Sequence, residues 1–216
     1  MSYQKRISAS RTWNIPRLSS KYVVSGKERG SSAFYSIPLL LLLKAGFEED
    51  RLKTKKELKQ KYSSKIFFLG KELKRLETRL CLFEQIEIDK KQYIVVFKNK
   101  KLHLLFLEQK RPDLFKLETV TLLKKKKIQL NFLFGKNLLH PILLKKGCSC
   151  LVENKKIIAI FEFIKGGRAY ILKGKYLGQI KTVVEVDVKG NVLLEGGLKL
   201  TKNFLFLVDK DFDVIW

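Results

Sequence analysis

The chain has 216 residues with 45 Lys and Arg against 21 Asp and Glu, and its formal charge of +24 predicts a polyanionic partner. Hydrophobic residues make up 45% of the sequence, which excludes a disordered basic tail and is enough to build one core or several small ones. Nucleic acid is the favoured partner because its phosphates supply counter-charge at high density, and acidic membrane lipids are the alternative.

The beginning of the chain and its cysteines argue against a secreted or membrane-spanning protein. Residues 1–11 are polar and basic, which predicts that no secretory signal is present. The longest apolar run, residues 37–43, is too short to cross a bilayer. Cys81, Cys148 and Cys150 lack the paired spacing of a zinc finger, so we expect reduced thiols and a cytoplasmic protein.

Residues 1–35 predict a basic N-terminal arm. Its large apolar anchors are Trp13 and Tyr22, which would be exposed without purpose if the arm were only a solvated terminus. Its cations are Lys5, Arg6, Arg11, Arg17, Lys21, Lys27 and Arg29.

Two helices are predicted after the arm. Ser36 is a suitable N-cap for a short apolar helix that has Pro38 in its first turn and ends at Gly46. A second helix is predicted to begin at Thr54, which forms a capping box with Glu57.

The rest of the chain predicts short antiparallel strands. A strand at residues 65–69 and a turn at Gly70 and Lys71 form the first hairpin. Further strands are predicted at 82–88, 93–97, 102–107, 117–123, 128–134, 157–163, 169–172, 179–186, 192–194 and 204–208. Turns are predicted at 89–91, 99–101, 153–155 and 189–191. The predicted fold class is α+β, mostly β, built from twisted sheets and small barrels.

No group of residues predicts catalysis. His103 lies in a strand pattern and His140 precedes a proline in a predicted turn, so structural roles are favoured for both. Cys148 and Cys150 predict buried apolar positions, with a redox pair as the alternative. Alternating Asp209, Asp211 and Asp213 predict an exposed edge, with a metal site as the alternative. We therefore predict no enzyme, no cofactor and no metal.

Lysines without nearby acidic residues are abundant in the sequence. Their ammonium groups suit contacts with phosphates, which they bind as point charges. One cluster follows the first hairpin turn, a block of four lysines spans residues 124–127, and Lys181 stands near the last cluster. A solvated surface is the alternative for such runs. An A+T-biased genome would also raise the lysine content.

Two segments resemble known RNA-binding modules. Residues 36–74 resemble a small helix-helix-hairpin module whose helices and hairpin turn form one basic face, which implies RNA contacts by Lys55, Lys59, Lys65, Lys71 and Lys74. Residues 167–186 resemble the KOW motif of SH3-like barrels. There Gly174 and Gly178 shape the structural turn and lysines flank it.

The order of these segments, with Arg11-Thr12-Trp13-Asn14-Ile15 and Ile37-Pro38-Leu39, resembles the ribosomal protein S-four-e family of archaeal and eukaryotic small subunits. The resemblance covers nearly the whole chain, although Lys181 stands where a glycine is common and the central and C-terminal regions are shorter than in typical members. It implies a basic arm at 1–35, a helix-hairpin module with following strands at 36–105, a central β domain at 106–165 and a KOW SH3-like barrel at 166–216.

The implied function is that of a non-enzymatic structural constituent of the small (40S) subunit, which binds and stabilises folded rRNA beside neighbouring ribosomal proteins. No membrane or small-molecule substrate is implied. An RNA-modifying enzyme with the helix-hairpin module, and a KOW-containing translation or transcription factor that binds RNA transiently, are the alternatives. The predicted RNA contacts are Lys5, Arg6, Arg11, Trp13, Arg17, Lys21, Lys55, Lys59, Lys65, Lys71, Lys74, Arg75, Arg79, Lys173 and Lys175.

Overall fold

The computed structural model describes residues 3–15, 21–26, 32–123, 127–187, 190–209 and 212. The chain divides into two compact units, Met1–Arg111 and Pro112–Trp216. Strands dominate the described residues, where two α-helices occur, so the prediction of a mostly β protein is confirmed. Within the ranges given above, neither helix is both long enough and apolar enough to cross a membrane. The predicted positions Arg17, Lys27, Arg29, 124–126, 189, Asp211 and Asp213 lie outside the described residues.

The described residues of the first unit form three antiparallel sheets. Strands β1 (Tyr3–Lys5) and β2 (Tyr22–Val24) form one two-stranded sheet, so residues of the predicted arm pair with each other. Strands β3 (Ser36–Pro38) and β6 (Arg79–Cys81) form another. A five-stranded sheet in the order β5-β4-β7-β8-β9 contains β4 (Ile66–Phe68), β5 (Lys71–Glu72), β7 (Gln85–Ile88), β8 (Lys91–Lys98) and β9 (Lys101–Leu107).

The two helices are α1 (Leu39–Gly46) and α2 (Lys55–Lys61). The predicted cap at Ser36 is wrong. Ser36 lies in β3, opposite Cys81, and its hydroxyl donates to the Ser32 carbonyl at 3.0 Å. Pairing between β3 and β6 therefore overrides the local capping preference. The capping box of α2 is confirmed: the Thr54 N–H donates to Glu57 Oε2 at 2.9 Å, and the Glu57 N–H donates to Thr54 Oγ1 at 3.4 Å.

One predicted strand begins three residues later than expected, at Gln85. The prediction placed residues 82–88 in a single strand, but Phe83 has a φ of +64° and separates β6 from β7. The Glu84 carboxylate accepts a hydrogen bond from the Cys81 N–H at 2.8 Å and stabilises this turn. A side chain that bonds to nearby backbone in this way competes with continuous strand pairing.

The core of the first unit forms between the helices and the five-stranded sheet. Helix α1 packs against β9, and its Leu39, Leu42 and Leu43 are fully buried. Leu58 of α2 is also fully buried. Both helices are therefore held by apolar burial, which is what fixes the positions of their lysines.

The second unit contains two five-stranded antiparallel sheets. The first, in the order β12-β11-β10-β13-β14, contains β10 (Asp113–Leu122), β11 (Ile128–Phe132), β12 (Lys136–His140), β13 (Ser149–Glu153) and β14 (Lys156–Phe161). The second, in the order β18-β17-β16-β15-β19, contains β15 (Arg168–Ile171), β16 (Ile180–Val186), β17 (Asn191–Leu194), β18 (Leu198–Thr201) and β19 (Leu205–Val208). Register shifts in the β10–β11, β13–β14 and β16–β17 pairs mark local bulges.

Each sheet of the second unit has its own buried cluster. The β10–β14 cluster contains Leu117, Leu130, Phe132, Cys148, Cys150 and Val152, and the β15–β19 cluster contains Ala169, Ile171, Val183, Val192, Leu194, Leu205 and Leu207. Strands β12 and β18 were not predicted from the sequence. His140, predicted to lie in a turn, is the last residue of β12 and pairs with Ile128.

Candidate nucleic-acid interface

The β1–β2 sheet brings three predicted contacts together. Arg6 follows β1 directly, and its N–H donates to the Lys21 carbonyl at 3.0 Å. Lys5, Arg6, Ile7 and Lys21 line a surface groove of about 440 Å³. Lys5 and Lys21 are exposed and Arg6 is half-buried. The groove thus concentrates three cations that are separated by up to sixteen positions in the sequence.

Trp13 and Arg79 are buried and form a structural pair. The Trp13 indole Nε1–H donates to the carbonyls of Ala33 at 3.0 Å and Ser36 at 2.7 Å. The Arg79 guanidinium carbon lies 5.5 Å from the Trp13 ring centroid, within the range of a cation–π contact, and Nε donates to the Ser25 carbonyl at 2.8 Å. Because both side chains are enclosed by protein, their contacts join Ser25, Ala33 and Ser36 to one another rather than face a partner. Arg11, two residues before Trp13, is exposed.

Helix α2 is anchored by a buried carboxylate that sequence reasoning missed. Asp50 is fully buried, and it accepts hydrogen bonds from Tyr62 Oη at 2.5 Å, Lys61 Nζ at 2.7 Å and Lys53 Nζ at 3.0 Å. Burial alone would raise the pKa of Asp50, but the hydrogen bonds from Lys61, Tyr62 and Lys53 hold this pKa below its ordinary value. Asp50 therefore stays ionised and fixes the end of the helix that carries Lys59.

The first hairpin and the loop after it present a second group of exposed cations. Leu69 and Gly70, with φ values of +52° and +73°, form the turn between β4 and β5, and Lys71 begins the returning strand. Lys59, Lys65, Lys71, Lys74 and Arg75 are exposed.

Two lysines near this hairpin already have acidic neighbours. Lys55 is half-buried and forms an ion pair with Glu77. Lys65 Nζ lies 3.5 Å from Asp89 Oδ1. Their charges are partly compensated within the protein, whereas none of the described acidic side chains forms an ion pair with Lys71, Lys74 or Arg75.

The turn after β15 carries the third group of cations. Gly174 and Gly178 have φ values of +95° and +89°, which glycine adopts without the steric cost of a Cβ. The Gly178 N–H donates to the Ile171 carbonyl at 2.9 Å and closes the loop. Lys173 and Lys175 on this loop are exposed.

Aromatic rings lie beneath the lysines of this loop. Lys173 Nζ is 5.1 Å from the Phe204 ring centroid, and Lys175 and Lys181 lie 5.9 and 5.1 Å from that of Tyr176. These contacts restrain the lysine stems while the ammonium groups remain able to reach a partner.

A buried lysine that sequence reasoning also missed holds the second unit together. Lys116 of β10 donates from Nζ to the carbonyls of Lys202 at 2.8 Å, Asn203 at 3.0 Å and Leu205 at 2.6 Å. Three acceptors match the three donors of an ammonium group. Burial lowers the pKa of Lys116 to about 8, which leaves the ammonium form predominant at neutral pH.

Comparison with known proteins identifies the relatives of this chain. No family model matches it. Small ribosomal subunit protein eS4 of Methanococcus vannielii is 28% identical over 98% of this chain and 95% of that protein. The eS4 protein of Archaeoglobus fulgidus is 28% identical over 96% of this chain and 93% of its own length.

The resemblance to the S-four-e family is confirmed. Both relatives are named as proteins of the small ribosomal subunit, and each is similar to this chain over nearly its full length. The crystal structure of the 30S ribosomal protein S4e from Thermoplasma acidophilum matches with a TM-score of 0.71 at 20% identity, over 82% of this chain and 96% of that one, and it shows the same fold.

The eS4 relatives are named as ribosomal proteins, which agrees with the prediction that this chain is not an enzyme. The candidate reactive groups have structural surroundings. His103 Nε2 lies 3.3 Å from Asn14 Nδ2, and burial together with the charge of Lys98 lowers the pKa of His103. The hydrogen bond with Cys148 and burial raise the pKa of Cys150, so Cys150 is a thiol in the core.

Proposed function

We propose that the chain is a structural constituent of the small ribosomal subunit that binds and stabilises folded small-subunit rRNA through contacts between its lysines and arginines and RNA phosphates. The similarity to eS4 proteins over nearly the full length of the chain carries this proposal. The groups of exposed cations on the β1–β2 sheet, the first hairpin and the loop after β15 support it. The proposed partners are this rRNA and the neighbouring small-subunit proteins, in the ribosome.

Affinity in this proposal comes from the release of counterions when ammonium groups approach phosphates. Selectivity comes from the shape of the folded RNA, because lysine is a point charge that reads base edges poorly. The exposed and half-buried predicted cations remain proposed contacts. Buried Trp13 and Arg79 are instead proposed to position the cations of the first unit.

The finer domain arrangement is also a proposal. The two helices with the β4–β5 hairpin would form the helix-hairpin RNA-binding module, and strands β15–β19 would form the KOW barrel. The antiparallel order β18-β17-β16-β15-β19 around a single buried cluster supports the barrel. Two positive-φ glycines at the predicted turn support the KOW motif.

Replacing Lys71, Lys74 and Arg75 together with Ala tests the proposed interface. Since these cations are exposed and lack ion-pair partners among the described residues, we expect intact folding and a dissociation constant for transcribed archaeal 16S rRNA about tenfold higher. Filter binding over a range of KCl concentrations measures both affinity and its salt dependence, whose slope should shrink by about two to three.

The matched control replaces Lys145 and Lys199 with Ala, because Lys145 lies 2.9 Å from Glu162 and Lys199 lies 3.7 Å from Asp187. We expect this control to bind like the wild type. Equal affinity of both variants would remove the hairpin cluster from the interface. A wild-type protein that ignores RNA even at low ionic strength would overturn the proposed function itself.

A further inference from the structure

Three hairpin turns of this chain share an unusual composition. Each has a two-residue loop, as shown by the flanking pairs Ile88 with Lys91, Lys98 with Lys101, and Glu153 with Lys156. The loops are Asp89-Lys90, Asn99-Lys100 and Asn154-Lys155. Each therefore reads Asp or Asn followed by Lys, and a second Lys begins the returning strand.

The second position of these loops has a backbone conformation that favours glycine. Lys90, Lys100 and Lys155 have φ values of +65°, +62° and +64°. Two consecutive positive φ values belong to type I′ turns, in which Asn or Asp suits the first position and Gly the second. A Cβ at the second position comes close to the adjacent carbonyl oxygen, so the backbone conformation there is less favourable for lysine than for glycine.

The first hairpin provides a reference in the sheet that carries two of these three loops. Its two-residue loop, Leu69-Gly70, has glycine at the second position, with a φ of +73°. Glycine thus fits this turn geometry in this protein, and lysine in the other three loops is not required by their shape.

The surroundings of the three turn lysines suit contact with a phosphate. All three are exposed, and none forms an ion pair with the described acidic residues. Lys65, at the same end of the sheet as Lys90, instead faces Asp89 at 3.5 Å. A lysine at the apex of a hairpin extends its ammonium group beyond the sheet, where it can enter a groove of folded RNA.

We infer that Lys90, Lys100 and Lys155 contact RNA phosphates from the apices of their hairpins, and that this binding role keeps lysine where the turns favour glycine. The inference rests on the proposed function and adds three residues to its interface. It assigns phosphate contacts to both compact units of the chain.

The triple substitution K90G/K100G/K155G of the full chain tests the inference. Because glycine relieves the strained φ values, we expect the variant to unfold at an equal or higher urea concentration than the wild type. We expect its dissociation constant for transcribed archaeal 16S rRNA to rise about tenfold, and its salt slope to shrink by about two to three.

Two controls separate charge from turn conformation. N99G/N154G introduces glycine into two of the three turns without removing a cation and should bind RNA like the wild type. K90R/K100R/K155R keeps the three positive charges and should bind within about twofold of the wild type.

Three results would overturn the inference. Wild-type affinity and salt slope in the triple glycine variant would show that the turn lysines reflect composition alone. Unfolding of that variant at a lower urea concentration than the wild type would show that the backbone does not favour glycine over lysine at these positions. Weak binding by the arginine variant would show that charge is not the cause. Failure of the wild type to bind RNA would instead reject the proposed function.

Discussion

Residues of the same type are buried at one position of this chain and exposed at another, depending on their neighbours. Arg79 and Arg75 stand four positions apart, yet Arg79 lies under Trp13 and Arg75 is exposed. The Asp50 carboxylate is buried where Lys61, Lys53 and Tyr62 donate hydrogen bonds to it. Charged groups are rarely fully buried without such partners.

At the residue scale, Asp50→Asn is expected to lower the free energy of unfolding by about 2 kcal/mol at pH 7, because hydrogen bonds between charged groups are lost. The ordinary pKa of the group is 3.8, and in the folded protein the pKa of Asp50 lies below it. The stabilisation is therefore fully present above about pH 4 and is lost as the pH falls through the folded-state pKa. Urea unfolding at pH 7 and pH 3 measures it, and the difference between the two proteins should shrink at pH 3. An equal difference at both values would contradict the prediction.

At the scale of elements, two side chains form hydrogen bonds between the sheets of the second unit. Lys116 of β10 bonds to three carbonyls at and just before β19. Ser149 of β13 adds a further link, since its hydroxyl oxygen accepts a hydrogen bond from the Leu207 N–H at 3.1 Å. The loop that carries Phe204, on which Lys173 packs, is thereby held against the first sheet of this unit.

We expect Lys116→Met to destabilise the protein by about 2 kcal/mol, because methionine fills the space but cannot donate to the three carbonyls. Urea unfolding at pH 7 checks this value. Lys165→Met is the matched control, because Lys165 is an exposed lysine of the same unit and its replacement should change stability by less than about 0.5 kcal/mol. Wild-type stability of the Lys116 variant would show that the three hydrogen bonds make no net contribution.

At the scale of the whole molecule, the formal charge of +24 is the dominant property. The described ion pairs neutralise only some of the cations, and the remaining ones repel each other in the free protein. A bound polyanion would relieve this repulsion and release counterions.

If about eight lysines contact phosphates, the logarithm of the RNA association constant should fall against the logarithm of salt concentration with a slope of about −6 to −7. Filter binding of the full chain to transcribed archaeal 16S rRNA between 50 and 200 mM KCl, a range of about fourfold, measures the slope. A slope near zero would show that binding does not depend on phosphate contacts.

The sequence by itself determined the features that depend on neighbouring residues. The capping box of Thr54 and Glu57 formed as predicted, because both partners lie within one helical turn. The turns at Asp89-Lys90, Asn99-Lys100 and Asn154-Lys155 were located correctly for the same reason. The mostly β class followed from the regular spacing of such turns, and the motif order indicated the eS4 relatives.

Only the tertiary structure decided which cations are enclosed and which are exposed. Trp13, Arg79, Asp50 and Lys116 receive their partners from residues that are distant in sequence or from backbone carbonyls that no pattern predicts. Ser36 became part of a strand because β6, more than forty residues later, pairs with it. Local propensity amounts to a fraction of a kcal/mol per residue, so burial and long-range pairing override it wherever they compete.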